Sequence, residues 1–314
     1  MKNQYFGDRN DFFKYDLVLE LIERSEFLNT FTFIPMLTEN DETNDGKYIY
    51  YDYSRRPDLG RFLRKCIVHS NRSIQNLKSY MKEANINYIP YRESFYFNNI
   101  SRNEYFGNID PEILTNAAIL VDPDNGFEVK SMQNKNSSRY IKYSEARMIY
   151  NKMSYNSVLV IYQHIPRVNR EEYFNKINSD INKTLYNPFI MCLSNNVVAF
   201  FIISKSLTLA QETWSTIRKY ASQNRYSAFL FCDLQTTIVE KSTNSYNHAD
   251  TNKEDSNIEN SNIEDSNMVG SNIENSNLEE FNVEYSNIEN NNDICRGIKN
   301  YFTFITKFLK RLIE

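Results

Sequence analysis

The 314-residue chain is short of the residues that punctuate or crosslink a backbone: seven glycines, seven prolines, four cysteines, three histidines and one tryptophan. The cysteines, Cys66, Cys192, Cys232 and Cys295, form no CxxC pair and do not cluster with histidine, which excludes a zinc knuckle and a disulfide framework. Cys192 and Cys232 stand inside the apolar runs MCL and FLFCDL, where cysteine behaves as a small buried hydrophobe. The longest apolar run, VVAFFII at Val197 to Ile203, is far too short to cross a bilayer, and MKNQYFGDRNDFFKYD lacks the apolar stretch of a signal peptide. A reducing cytoplasm is the expected setting.

What is present in excess is aromatic and uneven in charge. The 23 tyrosines and 21 phenylalanines supply ample material for a core. The net charge of −4 divides into +3 over residues 1–244, −11 over 245–295 and +4 over 296–314. The body is therefore mildly basic, with a weak attraction for phosphate.

Apolar spacing predicts helices over 10–27, 58–68, 73–85, much of 102–115 with a break at Pro111, 144–153, 169–182 and 208–222. Short apolar runs predict strands at 31–37, near 88, at 117–121, 158–162 and 227–232. Two further runs, 189–193 and 197–203, flank Ser-Asn-Asn and read as a hairpin. Uniformly apolar strands alternating with helices indicate an α/β protein with an open, mostly parallel, Rossmann-like sheet covered on both faces, with a late antiparallel hairpin. This body spans 1–240, and 241–255 reads as a linker.

From Ser256 a five-residue unit repeats seven times to residue 290, with Asn at 257, 262, 267, 272, 277, 282 and 287 and an aliphatic residue after each. The stretch resembles the pentapeptide-repeat family, which implies a small right-handed β-helix; Phe281 departs from that pattern at a small-residue position. An acidic, Asn-rich segment that never folds is the other reading. Residues 296–314 set Ile298, Tyr301, Phe302, Ile305, Phe308, Leu309 and Leu312 on one stripe, a basic amphipathic helix suited to docking, a membrane surface or a partner. Residues 245–314 are therefore a candidate protein-partner segment.

Chemistry is expected where AAILV runs into DPDNG. In open α/β sheets ligands bind outside the carboxyl ends of the strands, so Asp122, Asp124 and Asn125 stand where reactions occur, with Gly126 permitting a tight turn. The neighbouring run SVLVIYQH delivers Gln163 and His164, and histidine suits proton transfer near neutrality. Asp8, Asp11 and Lys14 follow one another at the start of the first helix, where Asp8 equally serves as an N-cap. Asp45 lies in the polar loop after the first strand, and Ser138 and Arg139 in KNSSRYIKYSE form a candidate phosphate or substrate clamp. A metal-dependent nuclease is the competing enzyme reading: Asp122, Asp124 and Glu128, with Lys130, supply the carboxylates and E-x-K element that hold Mg²⁺. A nucleotide- or partner-binding module is the non-enzymatic alternative.

Over about residues 4–205 the chain resembles a bacterial family known by its pattern: GDxxDxxKY at Gly7 to Tyr15, NDG at Asn44 to Gly46, DPDNG, KxSSxY at Lys135 to Tyr140 and YQH. More distantly the layout is similar to class I S-adenosylmethionine-dependent methyltransferases acting on nucleic-acid amines. Asp122 and Pro123 match the start of their Asn/Asp-Pro-Pro-aromatic motif, Asp124 replaces the second proline, and no GxGxG follows the first strand. The resemblance implies S-adenosylmethionine as cofactor, a nucleic acid or nucleotide as substrate, and an amine positioned by Asp122 and Asp124.

Overall fold

A computed structural model gives the fold and describes residues 1–41, 46, 48–132, 134–224 and 226–231. The expected linker, repeats and terminal amphipathic helix, and Asp45, lie outside the described residues.

Seven strands form one mixed sheet: β1 (Thr30–Pro35), β2 (Asn87–Pro90), β3 (Ala117–Asp122), β6 (Val158–His164), β7 (Phe189–Ser194), β8 (Val198–Ser204) and β9 (Ser227–Leu230). Their order is β2-β1-β3-β6-β8-β7-β9. The first four run parallel; β8 enters antiparallel to β6 and to β7, and β9 is antiparallel to β7. Two short strands, β4 (Gly126–Phe127) and β5 (Tyr140–Ile141), pair separately beyond the end of β3.

Every residue of β1, β3, β7 and β8 is buried, as uniformly apolar strands covered on both faces must be. One face packs helices α1 (Arg9–Arg24), α2 (Pro57–Val68), α3 (Leu77–Glu83) and α7 (Leu207–Asn224) around Phe13, Leu63, Leu77 and Ile217. The other packs α4 (Arg102–Gly107), α5 (Tyr143–Lys152) and α6 (Arg170–Thr184) around Phe106, Ile149 and Ile177. The result is three layers, helix on sheet on helix.

The expected hairpin is present: Asn195 Oδ1 accepts from the amides of Val197 at 2.7 Å and Val198 at 2.8 Å and turns β7 into β8. The helix expected over 102–115 is two pieces. α4 stops at Gly107, and a 3-10 turn, Pro111–Leu114, restarts where Asp110 Oδ1 accepts the Glu112 amide and Pro111 has no N–H to offer. The helix expected over 73–85 likewise opens with a 3-10 turn, Ile74–Asn76. β6 runs two residues further than expected, because β8 continues to pair with it up to Val198 opposite His164. Among the described residues no helix is long and apolar enough to cross a membrane.

Candidate functional site

The parallel strands β1, β3 and β6 end side by side, and a cavity of about 640 Å³ opens at their carboxyl ends. Its walls include Asp8, Asp11 and Lys14 of α1, Asp122 to Asn125 after β3, and Tyr162 and His164 of β6. Three segments far apart in sequence thus meet where the topology of an open α/β sheet places ligands.

The local structure of α1 follows from its first residues. Asp8 is the N-cap; its Oδ1 accepts from the amides of Asn10 at 2.8 Å and Asp11 at 2.9 Å. The next carboxylate, Asp11, accepts the Gly7 amide at 3.1 Å through Oδ2 and Lys14 Nζ at 3.0 Å through Oδ1, one helical turn along. Lys14 Nζ then reaches across the sheet end to Asp122 Oδ2 at 2.8 Å and stands 4.5 Å from the centre of the Tyr162 ring. Lys14, Asp11 and Asp122 are all buried.

Burying charges this deeply shifts their proton affinities. Burial alone would lower Lys14, but the carboxylates of Asp11 and Asp122 outweigh it and hold the ammonium well above its usual range. For Asp122 burial wins over the attraction of Lys14, so its carboxyl sits above the ordinary carboxylate value. Asp8 is pushed up to about 7 by burial and by the neighbouring Asp11 charge, with Lys14 opposing. Asp122 carries one further peculiarity. Its Oδ1 is buried and has no hydrogen-bond partner among the described residues, while Oδ2 is held by Lys14. A buried acceptor left empty is costly unless something fills it.

Asp124 faces differently. Its Oδ1 lies 2.6 Å from the amino group of Met1 and its Oδ2 accepts from Thr38 Oγ1 at 2.9 Å, tying the loop after β1 to the loop after β3. Burial pushes its carboxyl up, but the ammonium and the Thr38 hydroxyl prevail and keep it below the usual range. Lys2, also on the cavity wall, is ion-paired with Asp41.

The DPDNG turn is braced from beneath by Gln163. Its Oε1 accepts the Phe127 amide at 2.8 Å, and its Nε2 donates to the carbonyls of Asn125 and His164, each at 2.9 Å, and to Tyr173 Oη at 2.8 Å. Gly126 has a φ of +110°, and a Cβ there would fall 2.2 Å from Gln163 Oε1, so the close approach requires glycine. Gln163 thus uses its amide inside the protein and is absent from the cavity wall, whereas Tyr162 and His164 on either side of it line the cavity. His164 is exposed, and its amide donates to Asn125 O at 3.0 Å.

Of the KNSSRY stretch, Arg139 lines the cavity, 3.8 Å from Asp41, and Ser138 does not. The segment is held by a second buried ion pair. Arg102 Nε and Nη2 donate to the two oxygens of Glu145 at 2.6 Å each, Nη1 donates to Ser137 O at 2.8 Å and Nη2 also to Tyr140 O at 2.8 Å. The acids considered for Mg²⁺ do not converge: Glu128 Oε1 accepts the Tyr143 amide at 2.9 Å at the start of α5, and Lys130 is exposed. Among the described residues no group of three or more His, Cys, Asp or Glu side chains is arranged to hold a metal ion.

Sequence reasoning missed Lys2, Tyr48 and the Met1 amino group on the cavity wall. Tyr48 is exposed at the rim, and its carbonyl accepts the Arg9 amide at 2.8 Å. No pattern marks such residues, because a loop that folds back over a helix start leaves no periodicity. No protein-family model, no curated protein and no solved structure matches the chain.

Proposed function

We propose that the chain is a methyltransferase-like enzyme that acts on an exocyclic amine of a nucleotide or nucleic acid, with the cavity at Asp122 as its active site. The observation that carries this reading is the empty acceptor, Asp122 Oδ1, buried on the wall of a cavity at the ends of parallel strands. An amine N–H is the group that would satisfy it. The antiparallel strand β8, inserted between β6 and β7, is the feature that the resemblance to class I methyltransferases implies.

Four carboxylates, Asp8, Asp11, Asp122 and Asp124, line the cavity beside four cationic groups, the Met1 amino group, Lys2, Lys14 and Arg139, a mixed lining that suits S-adenosylmethionine, which carries both signs of charge. Gly46 on the wall has a φ of +80° and brings bare backbone to the cavity. Bound S-adenosylmethionine would supply an electrophilic methyl group. Asp122 Oδ1 accepts one N–H of the target amine and turns its lone pair toward the cavity, while Lys14 fixes the carboxylate through Oδ2. Asp8, poised near 7, takes the proton that the methylated amine releases.

The test is calorimetric titration of S-adenosylmethionine into the full chain, paired with transfer of labelled methyl groups to adenine- or cytosine-containing oligonucleotides. Saturable binding, and transfer that falls by about 10²–10³ in Asp122→Asn, are expected. Absence of binding at millimolar S-adenosylmethionine sinks the proposal.

A further inference from the structure

A second cavity, of about 680 Å³, lies between α2 and α3 and takes no part in the chemistry above. Its cationic side is Arg61 and Lys65 of α2, four residues apart and both exposed, with the exposed His69 in the turn beyond them. Its apolar side is aromatic: Phe62 and Tyr80, with ring centres 5.2 Å apart. Two acids also line it. Asp58 accepts a hydrogen bond from Tyr80 Oη at 2.6 Å, and Glu83 stands at the end of α3. Residues 57–83 carry six Lys and Arg against these two acids, a net +4, whereas residues 1–244 as a whole carry only +3. Residues 57–83 are thus one basic stretch of the body; residues 130–152, with six Lys and Arg against Glu145, are another.

The end of α2 packs beside the residues of the first cavity. A Cβ on Gly7, beside the first cavity, would lie 3.1 Å from Ile67 Cγ1 of α2. Just beyond α2, Arg72 donates through Nε to Phe6 O at 2.8 Å and through Nη2 to Gly46 O at 3.1 Å, and Gly46 lines the first cavity. Exposed cations beside an aromatic face form the pattern that accommodates a single strand, with phosphates on the cations and a base on the ring.

We infer that the α2–α3 cavity binds a nucleotide of a single-stranded nucleic acid, whose chain then passes Arg72 to reach the first cavity. The inference takes from the proposed function only the class of substrate.

The test is fluorescence anisotropy of the full chain, without S-adenosylmethionine, on end-labelled single-stranded DNA and RNA of about 12 nucleotides, within the site sizes such grooves cover. The double variant Arg61→Glu/Lys65→Glu changes only exposed side chains. It is expected to weaken binding at least about tenfold and to reduce the log–log salt slope by about 1.4, the value for two lost phosphate contacts on a single strand. Phe62→Leu keeps the packing but removes the ring, and is expected to weaken binding with the salt slope unchanged. Lys176→Glu, at an exposed position of α6 across the sheet, should leave both quantities as they were. A preference between the DNA and RNA arms identifies the polymer. Unchanged affinity in the double variant overturns the inference, as does wild-type binding to anionic phospholipid vesicles without binding to either oligonucleotide. Patch-dependent binding without methyl transfer would remove the proposed function and leave this inference standing.

Discussion

Two of the buried ion-pair clusters among the described residues, Arg102–Glu145 and Asp11–Lys14–Asp122, are finished differently. In the Arg102–Glu145 cluster each guanidinium nitrogen has an acceptor, and Glu145 Oε2 also accepts the Lys142 amide at 2.8 Å. In the Asp11–Lys14–Asp122 cluster the ammonium is shared between two carboxylates, and Asp122 Oδ1 is left without a partner. Buried charge contributes little net stability on average, so saturation is the informative property. A closed cluster fixes backbone segments to one another. An open one, beside a cavity, leaves a strong acceptor without a partner among the described residues.

The sharpest way to break this comparison is Arg102→Ala, which strands Glu145 without its counter-charge. It is expected to cost about 3–5 kcal/mol in urea unfolding. Arg102→Lys should recover only part of that, since a point charge cannot replace the fork. If Arg102→Ala unfolds at the wild-type urea concentration, saturation does not separate the clusters.

Asp122→Asn addresses the open cluster. Lys14 retains Asp11, so the chain should stay folded by circular dichroism, while methyl transfer falls by about 10²–10³, the scale of one lost polar contact to a reacting group. A variant with unchanged transfer would refute the role given to Asp122.

Gly126→Ala is expected to have a smaller effect than either. The added methyl meets the hydrogen-bonded Gln163 amide in a left-handed backbone conformation, and a loss of about 1–3 kcal/mol is expected in the same unfolding assay. A stability equal to wild type would mean that the DPDNG turn is not held by this brace.

The smallest expected effect is a pH slope. Asp8 has a folded value of about 7, raised from 3.8, so the folded protein holds its proton more tightly than the unfolded chain. Between about pH 4 and 7 the folded state binds more protons, so this group's contribution makes stability fall as pH rises through that window. Asp8→Asn keeps a capping side chain and should flatten the slope of melting temperature against pH relative to wild type. Parallel curves would show that Asp8 does not titrate there.

Much of this geometry was legible before any coordinates. AAILV followed by DPDNG marks a buried strand delivering acids to its carboxyl end, and Asp122 to Asn125 indeed line the cavity. GDRNDFFK placed Asp8, Asp11 and Lys14 at the start of a helix that meets the same cavity. What spacing could not show is that Lys14 reaches Asp122, a partner 108 residues away. Gln163 is instructive in a different way. A strand read as ending at 162 leaves Gln163 and His164 together in a loop, facing the same ligand. With β6 running to His164, side chains alternate, and Gln163 faces Tyr173 while its neighbours face the cavity. The extension is set by pairing with β8, a contact between runs that no local window contains. The same limit hid the Arg102–Glu145 pair, 43 residues apart.

The position of α1 also has a consequence in time. This helix supplies Asp8, Asp11 and Lys14 to the cavity, and further along it offers Asp16, whose Oδ2 accepts from Tyr220 Oη at 2.7 Å, 204 residues later. At ribosomal speeds of about 5–20 residues per second, roughly 10–40 s separate the emergence of the two partners. Over that interval the buried face of α1, with Phe12, Phe13, Leu17, Val18 and Leu21, waits for its covering layers. The helix that lines the cavity is thus made before its partner and secured late, and on the nascent chain it is the natural segment for a chaperone to shield.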